Sequence, residues 1–214
     1  MGALLLAIVG LVPLRIALAL TGNMVAARSV EGTVWRGRLV GASLGGQSLG
    51  DLDASMSPLA LFLGKARVQL DGALLHGAVV GSFGGQGGDI RMLNLPLSRG
   101  FGPVMLTAMD VADAHARFRG HGCAEADGRV GFQLKSFFGE QRLSGTLRCS
   151  GPVLAVDLLS QSAMERLSLR FSDPGRYQAT LIVRASDTSQ ASGLAAAGFR
   201  ETPVGHVLKF SGAF

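Results

Sequence analysis

The residues able to do chemistry in this chain are few and scattered. The histidines are His76, His115, His121 and His206, and the only cysteines are Cys123 and Cys149. His115, His121 and Cys123 could be drawn as a metal trio, with imidazole and thiolate as ligands. A thiolate in a disulfide cannot also be a ligand, so the trio and a Cys123–Cys149 bond exclude one another. No CxxC and no His at zinc spacing flank the cysteines. Asp110, Asp113, Glu125 and Asp127 make an acidic neighbourhood near Cys123. With no partner pattern of an acid/base pair, they read as solvated turn residues. GxxxxGK and HExxH are absent. The glycines at 84–88 lack GxGxxG spacing and no helix follows to cradle phosphate, so they read as a turn. The expectation is a protein without catalytic residues, metal or cofactor.

Which cysteine chemistry applies depends on the compartment, and the N-terminus speaks to that. Ala3 to Leu20 are apolar apart from Pro13 and Arg15, close to the roughly 20 residues that span a bilayer. A mid-membrane charge is costly, so Ala3–Val12 is assigned to the hydrocarbon and Pro13-Leu14-Arg15 to its edge. No basic residue precedes them, so the true start is expected upstream, with this sequence beginning inside a transmembrane helix. A cleaved signal peptide is the alternative reading. Both send the rest of the chain out of the cytoplasm. The division expected is an anchor over 1–22 and a periplasmic domain over 23–214, at the bacterial inner membrane. In an exported chain a lone cysteine pair is most simply a disulfide, with two unpaired buried thiols as the other reading.

Composition narrows the class further. Of 214 residues, 48% are hydrophobic and 16% charged, which excludes a disordered chain. The 31 glycines follow no three-residue period and fit turns and bulges between short strands. The net charge of +5 is spread over 17 Arg and 3 Lys standing one or two at a time. With one Trp and one Tyr, no basic, aromatic stripe for nucleic acid exists.

The elements that must position these residues are strands. Ala66, Val68 and Leu70 alternate with polar neighbours; so do Leu143, Gly145, Leu147 and Cys149, and Leu167, Leu169 and Phe171. Tyr177, Ala179, Leu181 and Val183 share a face, as do His206, Leu208 and Phe210. A period of two marks half-buried antiparallel strands. Asp173-Pro174-Gly175 fits a β-turn between strands 165–172 and 176–184. Two short helices are expected, one after Ser57-Pro58 through Leu63, the other from Ser186 or Asp187 to Ala197, closed by Gly198. Segments 81–88 and 96–103 read as loops. The fold class is therefore mainly β, antiparallel meander sheets in a sandwich or an open curved sheet. No long linker divides the chain, so the halves 29–95 and 109–214 could form a continuous sheet.

Against that frame, Ser29-Val30-Glu31-Gly32-Thr33-Val34-Trp35-Arg36-Gly37-Arg38-Leu39 resembles the opening signature of the type II secretion system protein N family. The similarity runs on through Leu49-Gly50-Asp51-Leu52, Ser57-Pro58-Leu59-Ala60-Leu61 and the strand 65–72. Cys123-Ala124-Glu125-Ala126-Asp127-Gly128 resembles the family's Cys-x-x-Ala-x-Gly pattern, and Leu143 to Cys149 its partner strand. Asp53-Ala54-Ser55-Met56 stands where the family often has an aromatic. The resemblance covers most of residues 28–184. It implies a single-pass inner-membrane accessory or assembly component of type II secretion, which exports folded proteins. Its partners would be other inner-membrane components of the machine or the outer-membrane secretin. Gly32, Val34, Trp35 and Gly37 are the motif residues, serving docking or core packing. Trp35 is read as a docking aromatic, a core residue or a membrane-interface anchor. The alternative function is a periplasmic lipid-handling protein with an AsmA-like β-layer whose apolar face cradles acyl chains.

Overall fold

A computed structural model describes residues 25–33, 35–44, 47–57, 65–82, 85–101, 104–120, 122–136, 139–172 and 176–213. The expected anchor over 1–22, the helix after Ser57 and the turn at 173–175 lie outside these residues. Among the described residues no helix is long and apolar enough to cross a membrane.

The chain divides into two compact units, Met1–Leu93 and Asn94–Phe214. The first holds β1 (Val25–Ala26), β2 (Ser29–Gly32), β3 (Gly37–Leu44), β4 (Gln47–Met56), β5 (Lys65–Gly72) and β6 (Leu75–Ser82). Strand β7 (Gly85–Phe101) begins in the first unit and ends in the second. The second continues with β8 (Val104–Arg119), β9 (Gly122–Ser136), β10 (Gly139–Ser150), β11 (Val153–Ser160), β12 (Glu165–Ser172) and β13 (Arg176–Val183). Helix α1 (Thr188–Ala196), β14 (Arg200–Thr202) and β15 (Gly205–Ala213) complete it.

Pairing follows chain order nearly throughout. The sequence of neighbours is β1-β3-β4 and onward to β13, then β15-β14, with β2 also on β3. This is one open antiparallel sheet in meander order, so the sandwich alternative falls. Apart from β1 on β3 and β13 on β15, each strand pairs with the strand just before or after it, so short turns suffice.

In β3 and β4 of the first unit the inward residues are Leu39, Ala42, Leu49, Leu52 and Ala54, all buried. They do not alternate strictly. Leu39 pairs Leu52, then Ala42 pairs Gly50, and Ser43 pairs Ser48. One extra residue in β3 and one in β4 therefore shift the phase. These bulges keep Ala42 and Leu49 inward and turn Gly41, Gly50 and Asp51 to solvent.

In the second unit Val130, Phe132, Leu134, Leu143, Val156, Leu158, Leu167, Ala179 and Leu181 form one core with Leu194 and Phe199. Leu194 comes from α1, whose ends follow their sequence signals. The Asp187 carboxylate accepts from the Gln190 N–H at 2.8 Å. At the other end the Gly198 and Phe199 N–H groups donate to the Ala195 and Leu194 carbonyls, with Gly198 left-handed at φ 87°.

Three local readings are corrected. Residues 81–82 and 85–88 are strand, since Val79 to Ser82 pair Gly88 to Gly85. Likewise 96–101 continue β7 despite Pro96 and Gly100. The acids Asp110, Asp113, Glu125 and Asp127 stand within β8 and β9, not in turns. In each case partner strands supply hydrogen bonds that local turn preference does not anticipate.

Candidate functional site

The family-like motif builds the hairpin between β2 and β3. Gly32 pairs Gly37 and Glu31 pairs Arg38, while the Thr33 N–H donates to the Arg36 carbonyl at 3.0 Å. Gly32 sits at φ 84°, and a Cβ there would lie 2.5 Å from the Arg36 oxygen. The first glycine of the motif is therefore demanded by the turn. Trp35 is half-buried at the turn. Val34 lies outside the described residues.

The hairpin sets a row of charge across adjacent strands. Register places Glu31 beside Arg38, Arg38 beside Asp53, Asp53 beside Asp71 and Asp71 beside His76. Arg38 donates to both Asp53 oxygens, at 2.9 and 3.3 Å, and His76 Nδ1 lies 3.2 Å from Asp71. The Arg38 hydrogen bond holds the Asp53 carboxyl below the usual carboxylate range, and Asp53 raises the guanidinium in return. An open groove of about 520 Å³ is lined by Glu31, Arg36, Arg38, Asp53, Ser55 and Asp71, with Gly32 and Gly37. Asp53 and Asp71 are like charges directly opposite, an unfavourable pair for a sheet. The sequence reading singled out neither carboxylate. Asp53 lies 15 positions from Arg38 and meets Asp71 only through register, so no local spacing signals the row.

The cysteines stand at the start of β9 and near the end of β10. Cys123 and Cys149 are joined by a disulfide with Cα atoms 5.6 Å apart. The Cys123 N–H donates to the Pro152 carbonyl at 2.8 Å, so the start of β9 is tied to the β10–β11 turn. Gly128, five positions on, pairs closely with β8, where a Cβ would overlap Ala114. An extra residue in β8 between Ala112 and His115 produces that approach.

Neighbouring acids are taken up by cross-strand bases. Asp110 meets Arg142 at 3.0 Å, Asp113 meets Arg129, and Glu125 lies 3.6 Å from His115. Across β10, β11 and β12, Asp157 faces Arg148 and Arg170. Burial pushes the Asp157 carboxyl up, but hydrogen bonds from Ser168 and Arg148 and the two positive charges outweigh it, leaving it below the usual range. Among the described residues no three His, Cys, Asp or Glu side chains gather as a metal ion needs. His121 lies outside them.

This geometry offers a charged, motif-bearing surface. A family model described as type II secretion system (T2SS), protein N, matches residues 23–207. The chain belongs to this family. No curated protein and no solved structure matches it. The protein N match runs from before β1 into β15 and so includes the motif hairpin, both cysteines and α1. It makes the chain a component of a type II secretion context.

Proposed function

We propose that this protein is an accessory or assembly component of the type II secretion system, assisting export of folded proteins across the outer membrane. It is held at the bacterial inner membrane by the apolar segment within residues 1–22, with 23–214 in the periplasm. It acts as a docking module, without catalysis and without a cofactor. The observation that carries this reading is the protein N match over residues 23–207. The Cys123–Cys149 disulfide supports an oxidising compartment.

The docking surface is the β2–β3 hairpin with its groove. Trp35 supplies an aromatic anchor of the kind that dominates interfaces. Glu31, Asp53 and Asp71 favour a basic segment on an inner-membrane component or the secretin. Lipid handling rests on an open apolar face. In the second unit Leu143, Leu158, Leu167 and Leu181 are at most 3% exposed, so these leucines do not form one.

The test is crosslinking in living cells followed by recovery of the tagged chain and mass spectrometry. Secretion components are expected to come with it, and Trp35→Ala is expected to reduce their yield several-fold. Recovery of phospholipid without secretion proteins would overturn the reading.

A further inference from the structure

The two ends of this sheet are guarded differently. At one, β1 and β2 are a single edge strand in constant register on β3, interrupted at residues 27–28 and carrying Arg28 and Glu31. Breaks and charges of this kind discourage further pairing. At the other end β14 covers β15 only from Gly205 to Val207. Among the described residues no strand covers the remainder of that side.

The direction of the backbone groups there follows from register. The Arg184 N–H donates to the Met164 carbonyl at 2.9 Å, so even-numbered residues of β13 address β12 and odd-numbered ones address β15. Since Ala179 pairs Phe210 and Leu181 pairs Leu208, even-numbered residues of β15 bond to β13. The N–H and C=O groups of Lys209 and Ser211 then point outward, past the end of β14.

We propose that this edge pairs antiparallel with the same edge of a second copy, about a two-fold axis at Phe210. The residues are self-complementary in that register. Lys209 stands opposite Ser211 of the other copy, and no like charges meet. Leu208 stands opposite Gly212, and the Tyr177 ring lies over Gly212, 2.8 Å from where a Cβ would be. A large side chain thus meets a vacant position floored by an aromatic ring. Phe210 meets its own counterpart. Leu208, Phe210 and Tyr177 are only half-buried, so each has apolar surface left to cover. A two-fold at Lys209 would set two ammonium groups opposite each other, and one at Ser211 would drive Phe210 into the Tyr177 ring. Arg200, opposite Val207, limits pairing to residues 208–212. The interface is small, and the dimer dissociates on dilution.

The test uses the full chain purified in detergent, with protein mass measured by light scattering across concentration. The mass is expected to rise from 22.2 kDa toward twice that value. Ser211→Pro removes an outward N–H and no ladder bond, so it is expected to remain monomeric with unchanged thermal unfolding. Mixed Lys209→Cys and Ser211→Cys chains should crosslink through a short bismaleimide several-fold more than Lys209→Cys alone. A wild type that stays monomeric, or a dimer insensitive to Ser211→Pro, overturns the proposal. If Ser211→Pro fails to fold, equal crosslinking of mixed and single variants overturns it instead.

Discussion

The two units of the chain are built on the same meander, yet different interactions hold them. In the first, burial concentrates on Leu39, Leu49 and Leu52 beside a pair of bulges, and Val79 remains 50% exposed. Its solvent face carries the motif hairpin and the row from Glu31 to His76. In the second, a contiguous core runs from Val130 through Val183 and is joined by α1 and a disulfide. Its solvent face pairs Asp110, Asp113 and Asp157 with arginines across strands. A sheet can therefore be kept soluble by ion pairs on one stretch while another leaves like charges side by side. The stretch where Asp53 stands opposite Asp71 is the one that bears the motif hairpin.

Changes confined to one unit should show how far they stand apart. The largest effect expected is from removing the disulfide. Cys123→Ala with Cys149→Ala should cost about 3–4 kcal/mol in the chain-entropy account, read from denaturant unfolding. If the units unfold separately, only the transition of the second should move; a shift of both would erase the distinction. Leu158→Ala, at 0% exposure in the core of the second unit, should cost about 3 kcal/mol, with the same selectivity. In the first unit Gly32→Ala should cost about 1–3 kcal/mol through left-handed strain and contact with the Arg36 carbonyl. Circular dichroism melts of the two variants side by side would sharpen the contrast.

A smaller effect is expected from acid. The folded Asp157 carboxyl lies below its unfolded value, so its contribution is present at neutral pH. It is lost as pH falls below about 4 and through the folded value. Asp157→Asn should flatten the acid limb of stability against pH. Arg38→Ala, in a largely exposed pair, should leave stability unmoved while raising recovery of secretion partners, since Asp53 is freed for a basic segment. A large loss of stability there would mean the row is structural.

Much of the second unit was legible in the sequence. The alternation at 165–172 and 176–184 reports strands with one wet face, and β12 and β13 occupy almost those residues. The Asp187 and Gly198 signals bound α1 because a cap is a local hydrogen-bonding need. The first unit was harder to read, since bulges at Gly41 and Gly50 break the period that marks a strand. Gly85 to Gly88 and Pro96 carry turn chemistry that their partner strands override. The charge row was hidden because its members meet only through register.

Hydrophobic period, cap residues and two cysteines were enough to determine a β-rich chain with a short helix and one candidate disulfide. The motif residues carried the family. Tertiary structure alone decided that the strands form one sheet, that Asp53 and Asp71 lie together, and that β15 keeps an open edge. Those outcomes depend on which backbone groups meet across strands, and a strand's own residues encode its faces but not its neighbour.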